Sequence, residues 1–337
     1  MSTTYIEELI DIHSPSGYTE QVVTHVENRL AGLPYQITRT NKGALLVSTC
    51  PDPHIVISAH LDTLGGMVRH LLPDGTLEIT QIGGWPPNSF EGEHLTVLTR
   101  SEQKYRGTFL INNPAAHVNR DVSKKKRRME DMHVRVDAVT KNEKETRDLG
   151  IAPGDFVFFD PRFEVTATGF VKSRFLDDKA CAGVMLDLLL NQTDELMSQS
   201  VAFFFSTYEE VGHGGCAGIP ASAKVMLVAD MGVVGNNVSG TETAVSICAK
   251  DSSGPYDFVL RNMLVTLAEQ NNIPYIVDIF PYYGSDGSAA LRSGMDLRVA
   301  LIGPGVASSH GVERTHEQGI KATRDLILQF VTCTDLI

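Results

Sequence analysis

The chain has 337 residues, 42% apolar and 21% charged, with a formal net charge of −12 at pH 7. That length suits one large domain or two and can bury a sizeable core. The negative balance argues against general binding to nucleic acid, and no apolar stretch approaches the ~18 residues of a membrane span.

The N-terminus, MSTTYIEELIDI, is acidic and amphipathic, so no secretory signal is expected. Residues 4–12 and 18–31 read as helices. The second carries Val22, Val23, Val26 and Leu30 at helical spacing after the breaker SPSG. IVIS at 55–58 is a short continuous apolar run, as expected of a strand covered on both faces. From about 70 to 169 the pattern changes to short alternating segments (TLEITQI, HLTVLT, HVRVDAV) between turn signals (PDG, GGWPPN, APGD). This predicts a small all-β domain inserted at 70–169, with the α/β part formed by 1–69 and 170–337. The basic run NRDVSKKKRRMED (119–131) inside it is flanked by Asp121, Glu130 and Asp131 and reads as a solvated loop.

After the insert, KACAGVMLDLLLNQ (179–192), YDFVLRNMLVTLAEQNN (256–272) and TRDLILQFVTC (323–333) read as helices. VAFFFS (201–206) and VMLVAD (225–230) read as buried strands. Strands alternating with helices predict an α/β sandwich. Cys50, Cys181, Cys216, Cys248 and Cys333 are scattered, odd in number and form no CxxC pair. That excludes a disulfide framework and a zinc–thiolate site, and a cytoplasmic location is expected.

In open α/β sheets ligands bind beyond the carboxyl ends of the strands. The acids and histidines at those ends are therefore the candidates. IVISAHLD supplies His60 and Asp62, FFFSTYEE supplies Glu209 and Glu210, and VMLVAD supplies Asp230. VALIGPGVASSH supplies His310, and SRFLDDK puts Asp177 and Asp178 before a helix. Two imidazoles with several carboxylates and no thiolate suit Zn²⁺, Co²⁺ or Mn²⁺. Two ions need about five protein ligands with one bridging carboxylate, which leaves one glutamate over as a base. Taken singly, each residue has an ordinary reading: a structural histidine, a helix cap, a surface EE pair. Their convergence on strand ends and helix starts favours one site.

The order HLD, DD, EE, D, H resembles the co-catalytic metallopeptidases. Asp62 and Asp177 are separated by 114 residues, and Asp230 and His310 by 79. The later gap leaves no room for the extra domain of the aminoacylase-related carboxypeptidases and deacylases. An early β insert resembles the M42 aminopeptidases, which include glutamyl, deblocking and tetrahedral aminopeptidases. AHLDTLGGMV, GIAPGD, SRFLDDKACAG, TYEEVGHGG and YGSDGSAA are similar to that family's motifs, and the resemblance covers essentially the whole chain.

The resemblance implies an α/β/α sandwich with a mixed central sheet and a barrel-like insert serving oligomerisation or substrate access. It implies two divalent metal ions per subunit, with zinc expected and cobalt or manganese suited to the same ligands. His60, Asp177 and Asp230 would hold one ion, and Asp177, Glu210 and His310 the other, with Asp177 bridging. Glu209 would be the general base, and the Asp62 carboxylate would accept a hydrogen bond from the far nitrogen of His60. Thr63 and Lys179 depart from the family's usual Glu and Arg, and His310 competes with His316 in SSHGVERTHEQ. His310 is preferred for its distance to the terminal helix and its nearness to the strand end.

The implied activity is removal of N-terminal residues from short peptides by a homo-oligomer, commonly a tetrahedral dodecamer, with no nucleic-acid or membrane partner. A deacylase acting on N-acylated amino acids is the rival enzyme. An inactive peptidase-derived scaffold is the rival outside enzymes.

Overall fold

The computed structural model describes residues 2–333. The chain divides into two compact units, one formed by residues up to Thr63 together with those from Arg162 onward, the other by Leu64–Pro161. The inserted unit thus begins and ends earlier than the expected 70–169. Its first strand follows HLDT directly, whereas Phe170–Ser173 pairs with a strand of the larger unit.

In chain order, the larger unit opens with α1 (Ser2–Ile10), α2 (Glu20–Arg29), β1 (Gln36–Arg39), β2 (Leu45–Ser48) and β3 (Ile55–His60). The inserted unit holds β4 (Gly65–Leu71), β5 (Leu77–Ile82), β6 (His94–Leu98), β7 (Lys104–Ile111), β8 (Met132–Val136), α3 (Glu143–Asp148) and β9 (Phe156–Phe159). The chain returns through β10 (Glu164–Val165), β11 (Phe170–Ser173), α4 (Leu176–Asn191), α5 (Thr193–Met197), β12 (Val201–Ser206), β13 (Val225–Ala229) and β14 (Gly232–Val234). It ends with β15 (Val245–Lys250), α6 (Phe258–Gln270), β16 (Tyr275–Ile279), α7 (Asp286–Arg292), β17 (Arg298–Ala307), β18 (Glu313–His316) and α8 (Glu317–Thr332).

Among the described residues the larger unit forms one mixed 12-stranded sheet, with β12, β3, β13 and β17 adjacent and parallel at its centre. Every residue of β3, β12 and β13 is buried, because helices cover both faces. Alternate side chains go to opposite sides. Ile55, Ile57, Phe203 and Phe205 join one core, and Val56 and Phe204 join the other. Each large apolar side chain so enclosed contributes about 1.5–3 kcal/mol. No helix among the described residues is long and apolar enough to cross a membrane.

The inserted unit is a closed barrel in the order β4-β5-β8-β7-β6-β9. Trp85, Phe90, Phe109 and Phe159 pack edge-to-face or tilted inside it, and the Trp85 indole N–H donates to the Gly65 carbonyl at 2.9 Å. It also contains α3, capped by Asn142, a short helix not expected in an all-β insert. The basic run is held by ion pairs. Arg127 meets Glu91, Arg128 meets Glu130 and Asp131, and Lys124 meets Asp121.

Candidate active site

The parallel strands β3, β12, β13 and β17 all run the same way, so their carboxyl ends share one edge of the sheet. His60 is the last residue of β3, Asp230 follows β13, and His310 lies between β17 and β18. Asp177 and Asp178 occupy the first turn of α4 with non-helical backbone angles. Glu209 and Glu210 sit in a 3₁₀ turn after β12, bracketed by Tyr208 and Gly212, both left-handed (φ 71° and 84°). The two reversals let neighbouring carboxylates serve one cleft, which a continuing strand would forbid. A second 3₁₀ turn, Gly214–Cys216, follows and packs on the start of α7 so closely that a Cβ at Gly215 would lie 2.1 Å from the Asp286 carbonyl oxygen.

Asp177 stands between the two imidazoles. Its Oδ1 is 3.1 Å from His60 Nε2 and its Oδ2 is 3.3 Å from His310 Nε2. Glu210 Oε2 is 3.7 Å from His310 Nε2, and Glu209 Oε2 is 3.8 Å from His60 Nε2. The nitrogen and oxygen atoms of His60, Asp177 and Glu210 fall within 4.8 Å of one another, as do those of His60, Asp178 and Asp230. Asp178 thus stands within reach of His60 and Asp230 as well, beside the expected Asp177. Asp178 Oδ2 also accepts the His60 backbone N–H at 3.2 Å, tying α4 to the end of β3.

Asp62 does more than pair with His60. His60 Nδ1 meets the Asp62 main-chain carbonyl at 2.8 Å, while the nearer carboxylate oxygen stands 3.6 Å away. The carboxylate also accepts the backbone N–H groups of Glu209 (3.1 Å) and Glu210 (3.3 Å) and the Ser16 hydroxyl (2.5 Å). The side chain therefore fixes the glutamate turn, and the backbone fixes the imidazole.

These acids are short of positive charge. Burial, with the charge of Asp177 added, pushes the Asp230 carboxyl up to about 8. Burial is also the main cause that lifts Glu209, Glu210 and Asp178 well above the usual carboxylate range. Asp177 moves the other way: against its burial, hydrogen bonds with His310 and His60 hold it low. Those acids in turn raise His60 well above its ordinary value despite burial. Three buried carboxylate oxygens here, Glu210 Oε1, Asp178 Oδ1 and Asp286 Oδ1, have no hydrogen-bond partner. A buried, acid-rich N/O donor set with orphaned carboxylate oxygens fits divalent cations.

The sequence matches the family model for M42 glutamyl aminopeptidases over residues 43–326. The chain belongs to the M42 glutamyl aminopeptidase family. It is 43% identical to YhfE of Bacillus subtilis (strain 168) across 97% of this chain and 96% of that one. Its fold is that of the TET aminopeptidase from Thaumarchaeota archaeon SCGC AB-539-E09 (TM-score 0.88, 19% identity, 99% and 98% of the two chains). It is also that of the Pyrococcus horikoshii TET1 peptidase (TM-score 0.86, 21% identity, 98% and 99%). The protein is accordingly a peptide hydrolase of the aminopeptidase class.

Within this M42 aminopeptidase the competing histidines lie at different places. His310 faces Asp177 and Glu210. His316 caps α8, its Nδ1 accepting the Gln318 N–H at 3.0 Å and its Nε2 donating to the Thr168 carbonyl at 2.9 Å. That cap also starts α8 at Glu317, before the expected 323. His316→Ala should cost about 1 kcal/mol in denaturant unfolding and leave metal content and rate unchanged. Lys179, at the family's usual arginine, is fully buried and donates to Ser14 Oγ at 2.7 Å, and Ser14 donates to the Leu61 carbonyl. Burial brings its amine down to about 7.

Two buried acids escaped the sequence reading. Asp286 accepts the hydroxyls of Ser58 and Ser206, near the ends of β3 and β12. Glu313 accepts the backbone N–H groups of Asp177 and His310. The signals available were YGSDGSAA for the first and the His-x-x-Glu spacing from His310 for the second.

Proposed function

We propose that this aminopeptidase is a dinuclear metal enzyme that removes N-terminal residues from short peptides, with Glu209 as general base. The observation that carries it is Asp177, whose two carboxylate oxygens face two different imidazoles, with a glutamate beside each. His60, Asp177 and Asp230 would hold one ion, and Asp177, Glu210 and His310 the other, zinc being the expected metal and cobalt or manganese suited to the same set. Asp178 is assigned to support, because one of its oxygens already holds the His60 amide. When bound, the ions supply Lewis acidity for the scissile carbonyl, a position for the free amine and a lowered pKa for the attacking water.

The chain's own residues do the rest. Glu209 takes the water's proton as its oxygen bonds to the carbonyl carbon, then gives that proton to the nitrogen as the C–N bond breaks. A base with this double task needs a pKa near the working pH. In the metal-free protein burial moves Glu209 in that direction, and the charges of Asp230, Asp286 and Glu210 add to the rise against the pull of His60. Asp62 keeps the base in place by holding its backbone.

The test is to strip the protein with a chelator, restore one ion at a time and assay aminoacyl anilides beside N-acyl amino acids. Turnover confined to free-amine substrates, with about two ions bound, is the expected result. Preference for blocked amines would establish the deacylase instead, and inactivity with every ion would leave a scaffold. We also propose self-assembly, since the Pyrococcus horikoshii TET1 peptidase can assemble into a tetrahedron or a large octahedral shell. Light scattering that returns a monomer mass would end that idea.

A further inference from the structure

We propose that Glu313 is a positioning residue that holds Asp177 and His310 in register and so controls retention of one metal ion of the pair; this rests on the dinuclear reading above. Glu313 opens β18 and is 1% exposed. Its Oε2 accepts the Asp177 backbone N–H at 3.0 Å and its Oε1 accepts the His310 backbone N–H at 2.9 Å. The side chains of the same two residues meet at 3.3 Å, Asp177 Oδ2 to His310 Nε2. One carboxylate thus closes a ring through two backbones and two ligand side chains.

Neither ligand holds this place by secondary structure. Asp177 has φ −78° and ψ 103°, outside the helical range, at the start of α4. His310 has φ 59°, and Ser308 just before it has φ 60°, both left-handed. Non-glycine residues keep such angles only where surrounding contacts over-determine them. Pairing of β11 with β18 sets Ser173 opposite Glu313, which brings the carboxylate under the segment leading to Asp177. His60 is anchored separately, through Asp178 and the Asp62 carbonyl. Loosening Glu313 therefore loosens two of the three residues assigned to one ion, Asp177 and His310, but only one of the three assigned to the other, the shared Asp177.

Glu313→Gln in the full-length holoenzyme tests this. A carboxamide offers one acceptor oxygen and an NH₂ that cannot accept an N–H, so one of the two bonds is lost. Zinc is titrated calorimetrically into stripped protein, and bound zinc is counted after dialysis against a chelator buffer. Cobalt absorption spectra report the geometry of each ion. Wild type is expected to take two ions. The variant should bind the ion of Asp177, Glu210 and His310 about 10- to 100-fold more weakly and lose clearly less for the ion of His60, Asp177 and Asp230, with kcat restored by excess zinc at unchanged KM. Glu313→Asp, with both acceptors on a stem one carbon shorter, should weaken the same ion and serves if the glutamine variant does not fold. Unchanged affinity for both ions, or equal loss of both, overturns the inference while the dinuclear reading stands. A wild-type protein that takes up a single ion overturns both.

Discussion

Glu209→Gln is expected to lower kcat by about 100- to 10,000-fold while metal content stays at the wild-type level. Glutamine fills nearly the same volume and keeps the turn, whose amides are held by Asp62 rather than by Glu209 itself. What it removes is the proton carrier. Glu210→Gln makes the contrast. Its side chain is more enclosed, 3% exposed against 16% for Glu209, and its Oε2 faces His310. That variant should lose bound metal on dialysis, with its rate recovered in part by excess ion. Elemental analysis with kcat on the same samples separates the two roles. Metal loss in the Glu209 variant and retention in the Glu210 variant would mean that the assignments are exchanged.

Stripping the metal should reverse the dependence of stability on pH. In the metal-free protein Asp230 and Glu313 titrate near 8 when folded, against an ordinary value of about 4 when unfolded. Burial is the largest cause for both, with the charge of Asp177 next. Between those values the folded state holds protons that the unfolded state has released, so stability falls as pH rises. It is fully present below about pH 4 and lost through pH 8. The raised His60 acts in the same direction, since it favours the folded state at low pH and ceases to as pH climbs. The loss from pH 5 to 8 should be on the order of several kcal/mol. The loaded protein should behave oppositely, because ions compete with protons for the same carboxylates and imidazoles and bind more tightly as pH rises. Thermal midpoints measured from pH 5 to 8, with chelator and with zinc, should give slopes of opposite sign. Parallel slopes would mean that these groups do not hold the ions.

Much of this was legible because strand ends concentrate chemistry. The runs ending at His60, Ser206 and Ala229 became buried parallel strands, and the acids and histidines just beyond them came together. What stayed hidden acts through the backbone. Glu313 reaches amides 136 residues away in Asp177 and three residues away in His310, and no spacing rule announces a carboxylate that binds main chain. The Asp62 carboxylate was read in part, since His-x-Asp suggests its side-chain pair with His60 (3.6 Å) but not its bonds to the amides of another turn. The start of α8 was placed late because its cap is a histidine, outside the usual capping residues.

The barrel's first and last strands are neighbours: β4 pairs with β9 antiparallel, Gly66 opposite Val157. Once the barrel has closed, the chain leaves it close to where it entered. To the larger unit, the 114 residues between Asp62 and Asp177 then count as a short connection. Closing a loop of about 100 flexible residues costs about 2 kcal/mol more than closing one of about 10. A barrel that folds first removes that cost before His60 and Asp177 need to meet. The insert is in this sense an entropic clamp on the site, and barrel-core mutations such as Trp85→Ala should slow assembly of the α/β core without touching a single residue in it.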